Sequence, residues 1–267
     1  MLLVLLLISC GQQTSKKIQH TEENKHSEKD EYLEENVEEV KDSTLFSIGY
    51  DDDGAKLHSL EAIPIMEEEY LACDTSYQKL LKKKIKENKQ QFYLNINNAE
   101  IAFQKDTMEI HNGGESWYEY IGYYSDLNMY AIFDVSVSGD LNTFSDFMLI
   151  DPETGYKYVL LPLGDAFGEP PLLSPDNNYF LDYFLDYYSG NNVSTIRIFK
   201  ISDKKTPSSY ITRYAEQSDF PFFIENLIWK SDSEIFIKAY KNVSDDNGSH
   251  KEYEYYKILL EGKNKNK

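Results

Sequence analysis

The sequence predicts a mainly β protein built from repeated antiparallel sheets, with one amphipathic helix. Three observations carry that expectation. From Leu45 onward aromatic residues become dense and apolar positions alternate with polar ones at period two, the pattern of half-buried strands. A turn followed by a strand recurs three times, with Asp126, Asp176 and Asp232 spaced fifty and fifty-six residues apart. The residues before Leu45 show neither feature, so folding is expected to begin there.

Met1 to Ile8 is nearly all leucine and valine, far short of the about 20 apolar residues a helix needs to cross a hydrocarbon core. Residues 1–9 instead suit the apolar region of a secretory signal peptide. Leu7-Ile8-Ser9-Cys10 resembles the bacterial lipobox, in which a small residue precedes an obligatory cysteine; no Lys or Arg precedes the apolar run here, a departure from that pattern. The resemblance implies a bacterial lipoprotein whose Cys10 thiol carries a diacylglyceryl group after cleavage just before it. It also implies a place in the cell envelope, lipid-anchored at the outer membrane and facing the periplasm or the exterior. Several acyl chains at roughly 0.8 kcal/mol per buried methylene would hold such a protein firmly.

Residues 10–44 are rich in Gln, Lys, Glu, Ser and His and carry too few apolar side chains to offset the entropy of ordering. They are expected to form a disordered acidic tether, spanning roughly 30 Å at about 5 to 6 Å times the square root of length.

Residues 45–118 read as an irregular β region, with candidate strands in "KLHSLEAIPI", "QFYLNINNAEIAF" and "TMEIH". Within it, Tyr77, Leu80, Leu81 and Ile85 share one face at helical spacing, and Thr75 with Gln78 matches a capping box. This spacing predicts a helix over 76–90, its lysines facing solvent. "HNGGES", from His111, reads as a hairpin connection.

In residues 119–262 the three repeats are "YYSDLNMYAIFDVSV", "LLSPDNNYFLDYFLD" and "IWKSDSEIFIKAYKN". Each is followed by a polar gap and further strand, in "DFMLIDPETGYKYVLL", "TIRIFKISDKKTPSSYI" and "YEYYKILLEG". A Ser-Asp or Ser-Pro-Asp turn before a strand, repeated about every fifty residues and clearest in "LSPDNNYFLDYF", resembles the blades of WD-repeat and TolB-type propellers. That resemblance implies a propeller-like fold, closed or incomplete; a β sandwich is the alternative architecture. Residues 263–267 are expected to be a disordered tail.

The formal charge of -19 has the wrong sign for neutralising phosphates, so nucleic acid is excluded as a partner class. Adhesion to an anionic membrane through a basic patch is disfavoured for the same reason, which leaves the lipid on Cys10 as the membrane attachment. Cys73 is then the only other cysteine, so no disulfide framework exists, and it is expected to be a small buried hydrophobe. No P-loop, G-x-S-x-G, H-E-x-x-H, G-x-G-x-x-G or C-x-x-C pattern occurs. His58, His111 and His250 are scattered, and neither "YDDDGAKL" nor "SDDNGSH" completes a calcium loop, so no metal or cofactor is expected. Asp42-Ser43-Thr44 and Asp106-Thr107-Met108 resemble the short O-glycosylation sequon of Bacteroidetes envelope proteins. The tyrosine-rich stretches "WYEYIGYY" and "FLDYFLDYY" read as packed sheet ahead of a recognition face.

The resulting expectation is a lipid-anchored binding or scaffold protein of the envelope, with a protein or glycan partner and no catalytic motif. Two alternatives belong to other classes. One is an envelope hydrolase using carboxylates in a sheet cleft, and the other is a protective, immunity-type lipoprotein whose acidic surface meets a basic target.

Overall fold

The computed structural model describes residues 43–49, 57–73, 80–108, 113–164, 169–186, 193–245 and 248–260, all inside one compact unit from Lys41 to Lys267. Cys10, most of the tether, Asp51, Asp53, His111 and the 263–267 tail lie outside the described residues.

The protein is mainly β, with four sheets among the described residues. The first sheet has the order β1 (Leu45–Ile48), β10 (Lys157–Leu160), β9 (Thr143–Ile150), β8 (Met129–Val137), β7 (Glu115–Tyr124), β3 (Leu80–Leu81). The second runs β11 (Leu172–Leu173), β12 (Tyr179–Asp186), β13 (Val193–Ile201), β14 (Ile211–Phe220). The third runs β15 (Phe223–Ser231), β16 (Glu234–Asp245), β17 (Gly248–Leu259), β2 (Ile63–Pro64). A small sheet holds β4 (Lys86–Glu87), β5 (Gln91–Ile96) and β6 (Ala99–Gln104). Neighbouring strands are antiparallel, except that β1 joins β10 in parallel.

Period-two alternation explains how the sheets stack. On β8, Met129, Ala131, Phe133, Val135 and Val137 pack toward the second sheet, while Tyr130 and Ile132 pack toward the small sheet. Both faces of the strand are covered, which is why "MYAIFDVSV" is almost continuously apolar. The second sheet repeats the device: Phe180 and Phe199 face the first sheet, whereas Leu181, Ile196 and Ile198 face the third. The order of layers is therefore small, first, second, third, with a separate apolar core between each adjacent pair.

Each repeated turn stands where one strand hands over to the next in its own sheet. Asp126 lies between β7 and β8, Asp176 between β11 and β12, and Asp232 between β15 and β16. At the middle turn Ser174 Oγ donates to Asp176 Oδ1 at 2.8 Å and accepts from the Tyr179 backbone N–H at 3.0 Å. Asn128 and Asn177 supply the positive φ that such turns require, at 51° and 63°. The period near fifty is thus one sheet per repeat.

Four expectations need correction. The helix over 76–90 is absent from its described part: Leu80 and Leu81 pair with Tyr124 and Tyr123, residues 82–85 form no regular structure, and Lys86 and Glu87 pair with Tyr93 and Phe92. Packing overrides periodicity here. Leu80 presses on Gly122, where an added Cβ would lie 2.9 Å from its Cδ1, and Ile85 enters the core between the small and first sheets. An extended strap advances about 3.3 Å per residue against 1.5 Å in a helix, so it joins the two sheets in few residues. A short helix does occur at α1 (Glu67–Leu71), which opens on three glutamates and buries Tyr70.

Second, the division at residue 118 falls inside β7, and β1, β2 and β3 from the first region complete the edges of two large sheets. Third, β6 and β7, the described strands on either side of "HNGGES", belong to different sheets and so do not form a hairpin with one another. Finally, Cys73 is half-buried, its backbone N–H bonded to the Tyr70 carbonyl just beyond α1.

Candidate functional site

Three groupings of polar side chains emerge once the strands are in register. The most deeply buried crosses the second sheet, where Asp182 stands opposite Arg197 and Arg197 opposite Glu216. Arg197 Nη2 donates to Asp182 Oδ2 at 3.0 Å and to the Leu161 carbonyl, and the guanidinium lies 4.7 Å from the centre of the Phe199 ring. Arg213 extends the ladder by bonding Glu216 at 3.0 Å. Gly49 lets the chain after β1 pass close by, since a Cβ there would lie 3.3 Å from Arg197 Nη1. Arg197 is only 2% exposed, and its Nε has no hydrogen-bond partner among the described residues. Burial pushes the Asp182 carboxyl up to about 6 against the pull of Arg197, and the same burial lowers the guanidinium. With so little exposure the ladder is a pin between the second sheet and Leu161, not a place for a substrate.

The second grouping is a carboxylate pair. Asp134 of β8 lies directly opposite Asp146 of β9, with Tyr118 of β7 on the other flank of Asp134. All three are on the face that the small sheet partly covers, Phe103 meeting the Tyr118 ring edge-on at 5.2 Å. Burial, then the charge of Asp146, raises the Asp134 carboxyl to about 6, while Lys157 opposes the shift; burial also raises Asp146. Burial thus favours the protonated form of both carboxyls.

The pair also makes a stability prediction. A carboxyl whose folded value is raised binds its proton more tightly when folded, so its favourable contribution is complete below the unfolded value of 3.8 and is lost as pH rises through about 6. Asp134→Asn is therefore expected to raise unfolding free energy by about 1 kcal/mol at pH 7, after allowance for solvent screening. Below pH 4 it should change almost nothing. Urea denaturation at the two pH values measures both.

The third grouping is an open cleft of about 510 Å³ where the strap from β3 to β4 crosses the edge of the first sheet. Lys82, Lys83, Lys84, Ile85, Lys86 and Glu87 form one wall, and Tyr120 and Ile121 of β7 form the other. The Tyr120 hydroxyl donates to the Lys83 carbonyl at 3.2 Å and fixes the strap; burial pushes that phenol up to about 12.

Among the described residues no three His, Cys, Asp or Glu side chains are placed to hold a metal ion, and no helix is long and apolar enough to cross a membrane. His58 stacks on Tyr214 at 4.5 Å, and His250 lies 3.8 Å from Glu252, so the two are not brought together. Of the triplets noted in the sequence, Asp106 Oδ1 accepts the Met108 backbone N–H at 3.0 Å in an exposed turn. "WYEYIGYY" is largely core: Trp117 and Tyr124 are buried toward the second sheet, and Tyr118, Tyr120 and Tyr123 pack toward the small one. Sequence reading missed both charge groupings. Their one visible signal is an aspartate at an inward-facing position of an apolar strand, as in "IFDV" and "FLDY". No protein-family model, curated protein or solved structure matches the chain.

Proposed function

We propose that the protein is a lipid-anchored binding or scaffold module of the bacterial cell envelope, fastened through Cys10 and carrying a protein or glycan partner on its stacked sheets. The observation that carries this reading is the order of segments: an apolar run ending at Cys10, a polar acidic stretch, and then the strand that starts at Leu45, the first among the described residues. Repeated meanders packed face to face also fit propeller-type repeats, whose rims serve as binding surfaces. The outer membrane is the location the lipobox resemblance favours.

The experiment is fractionation of cells with mass measurement of the protein, followed by capture of partners from envelope extract with the full chain in detergent. Cys10→Ala should release the protein from the membrane fraction and remove the mass of the acyl groups. Unchanged fractionation and mass would refute the anchor. A second reading, a carboxylate hydrolase, is favoured only by the Asp134–Asp146 pair. Turnover of a glycan or peptide by the parent, lost in Asp146→Asn and accompanied by no captured partner, would replace the first reading with it.

A further inference from the structure

The cleft between the lysine strap and β7 is an unusual place in this protein. The chain carries a net charge of -19, yet six of its 25 lysines fall between Lys79 and Lys89. Four of them, Lys82, Lys83, Lys84 and Lys86, line one cavity together with a single carboxylate, Glu87. Like charges at adjacent positions repel, and a chain with surplus carboxylates can readily neutralise them.

Two of the four are neutralised or held. Lys86 bonds Glu100 and sits 4.6 Å over the Tyr93 ring, and Lys83 lies 4.1 Å over Tyr123 and 5.5 Å from Tyr130. Glu87 is itself engaged, accepting from Lys105 Nζ at 2.8 Å. Lys82 and Lys84 have no carboxylate or ring partner among the described residues and are exposed at the cleft wall. The strap that carries them is held at both ends, by β3 pairing to β7 and by β4 pairing to β5, and in the middle by the Tyr120 hydroxyl on the Lys83 carbonyl. The lysine backbones are therefore held in place before any ligand arrives.

We propose that this cleft is a binding site for a compact ligand bearing two or more phosphate groups, gripped by Lys82 and Lys84 and seated on Tyr120 and Ile121. The proposal deepens the reading of the protein as a binding module and rests on it. The volume of about 510 Å³ lies in the range of small-ligand sites. Lysine offers three donors on a compact charge, which suits phosphate oxygens without demanding a fixed planar geometry. A carboxylate ligand brings the same group that the chain already offers in its 46 acidic side chains, none of which pairs with Lys82 or Lys84 among the described residues. A phosphate, with roughly 1.5 to 2 negative charges near neutral pH, is the stronger competitor for those ammonium groups.

The test is isothermal titration of the full chain in detergent with inorganic pyrophosphate and with inorganic phosphate, beside flotation with phosphatidylcholine vesicles with and without phosphatidic acid. Pyrophosphate should bind at least about tenfold more tightly than phosphate, because two lysines act on one ligand. Lys82→Gln with Lys84→Gln should weaken pyrophosphate by about tenfold or more, and Lys241→Gln, on the far β16–β17 hairpin, should leave it unchanged. Circular dichroism of the double variant should match the parent, since both side chains are exposed. No heat with pyrophosphate, or equal loss in the Lys241 variant, would sink the proposal. Flotation on phosphatidic acid without pyrophosphate binding would sink it too, in favour of a lipid headgroup. The Cys10→Ala fractionation is independent of all these results, so failure of the cleft and failure of the anchor are told apart.

Discussion

Replacing Arg197 with methionine is expected to lower unfolding free energy by about 3 to 5 kcal/mol at pH 7, the usual cost of removing one partner from a buried ion pair. Methionine approximates the volume of the arginine stem, so the loss reports the charge rather than a cavity. What remains is Asp182, 6% exposed and facing the first sheet without its guanidinium. The Leu161 carbonyl loses its donor as well. In the parent, burial already pushes the Asp182 carboxyl up to about 6 against the attraction of Arg197. Without that attraction its value rises further, so the variant binds a proton on folding that the unfolded chain, at its ordinary value of 3.8, does not. The penalty is therefore full above the raised folded value and shrinks as pH falls through it. Urea midpoints at pH 7 and pH 5 should show the variant recovering part of its deficit in acid. Adding Asp182→Leu should return stability to within about 1 kcal/mol of the parent, since replacing a whole buried pair by apolar groups is often neutral. An Arg197→Met protein as stable as the parent at pH 7 would mean that water reaches the ladder.

The ladder also shows where sequence reading runs out. Alternation on "YFLDYFLD" and "TIRIFKI" puts Asp182 on the face of Phe180 and Arg197 on the face of Phe199, because every second residue of a strand shares a face. Their pairing depends on the register of β12 against β13, which alternation within either strand leaves open. Asp134 and Asp146 pose the same problem across β8 and β9. The repeat was legible for a physical reason: short Ser-Asp turns need polar side chains that accept backbone N–H groups, and Asn where φ turns positive. The two-residue strands β2 and β3 are long enough only to dock on an existing edge, so β2 fills just Ile63 and Pro64 of the expected strand in "KLHSLEAIPI" and β3 lies inside a stretch whose spacing is helical. The strap failed more instructively. Its leucines and lysines satisfy helical spacing, but a lone helix of that length is marginal in water, and two sheet edges offered Leu80 and Ile85 better burial. Lysine clustering was visible in the sequence, whereas the facing wall of Tyr120 and Ile121 was not.

Phe180→Ala should cost a comparable amount, about 3 to 5 kcal/mol, through a different cause. Phe180 is fully buried in the core between the first and second sheets, its ring 5.4 Å from Tyr124 and 6.5 Å from Phe147, both near edge-on. Tyr124 is itself pinned, its hydroxyl donating to the Pro171 carbonyl at 3.0 Å, so it cannot swing in to fill the space. The cavity would stay open and its lining would lose dispersion contacts outright. Hydrogen exchange then distinguishes two ways the stack can be held. Three separate cores join four layers, so a local weakness could release only β12 and its neighbours in the second sheet. Yet β8 presents alternate residues to two of those cores, and β13 does the same on the other side. A side-chain shift on one face of such a strand must move the residues on its other face. Protection should therefore fall together in β8, β9, β12 and β13, as expected of one cooperative unit. Loss confined to β11–β14 would show instead that each sheet opens by itself, and that the repeats are stacked without being energetically coupled.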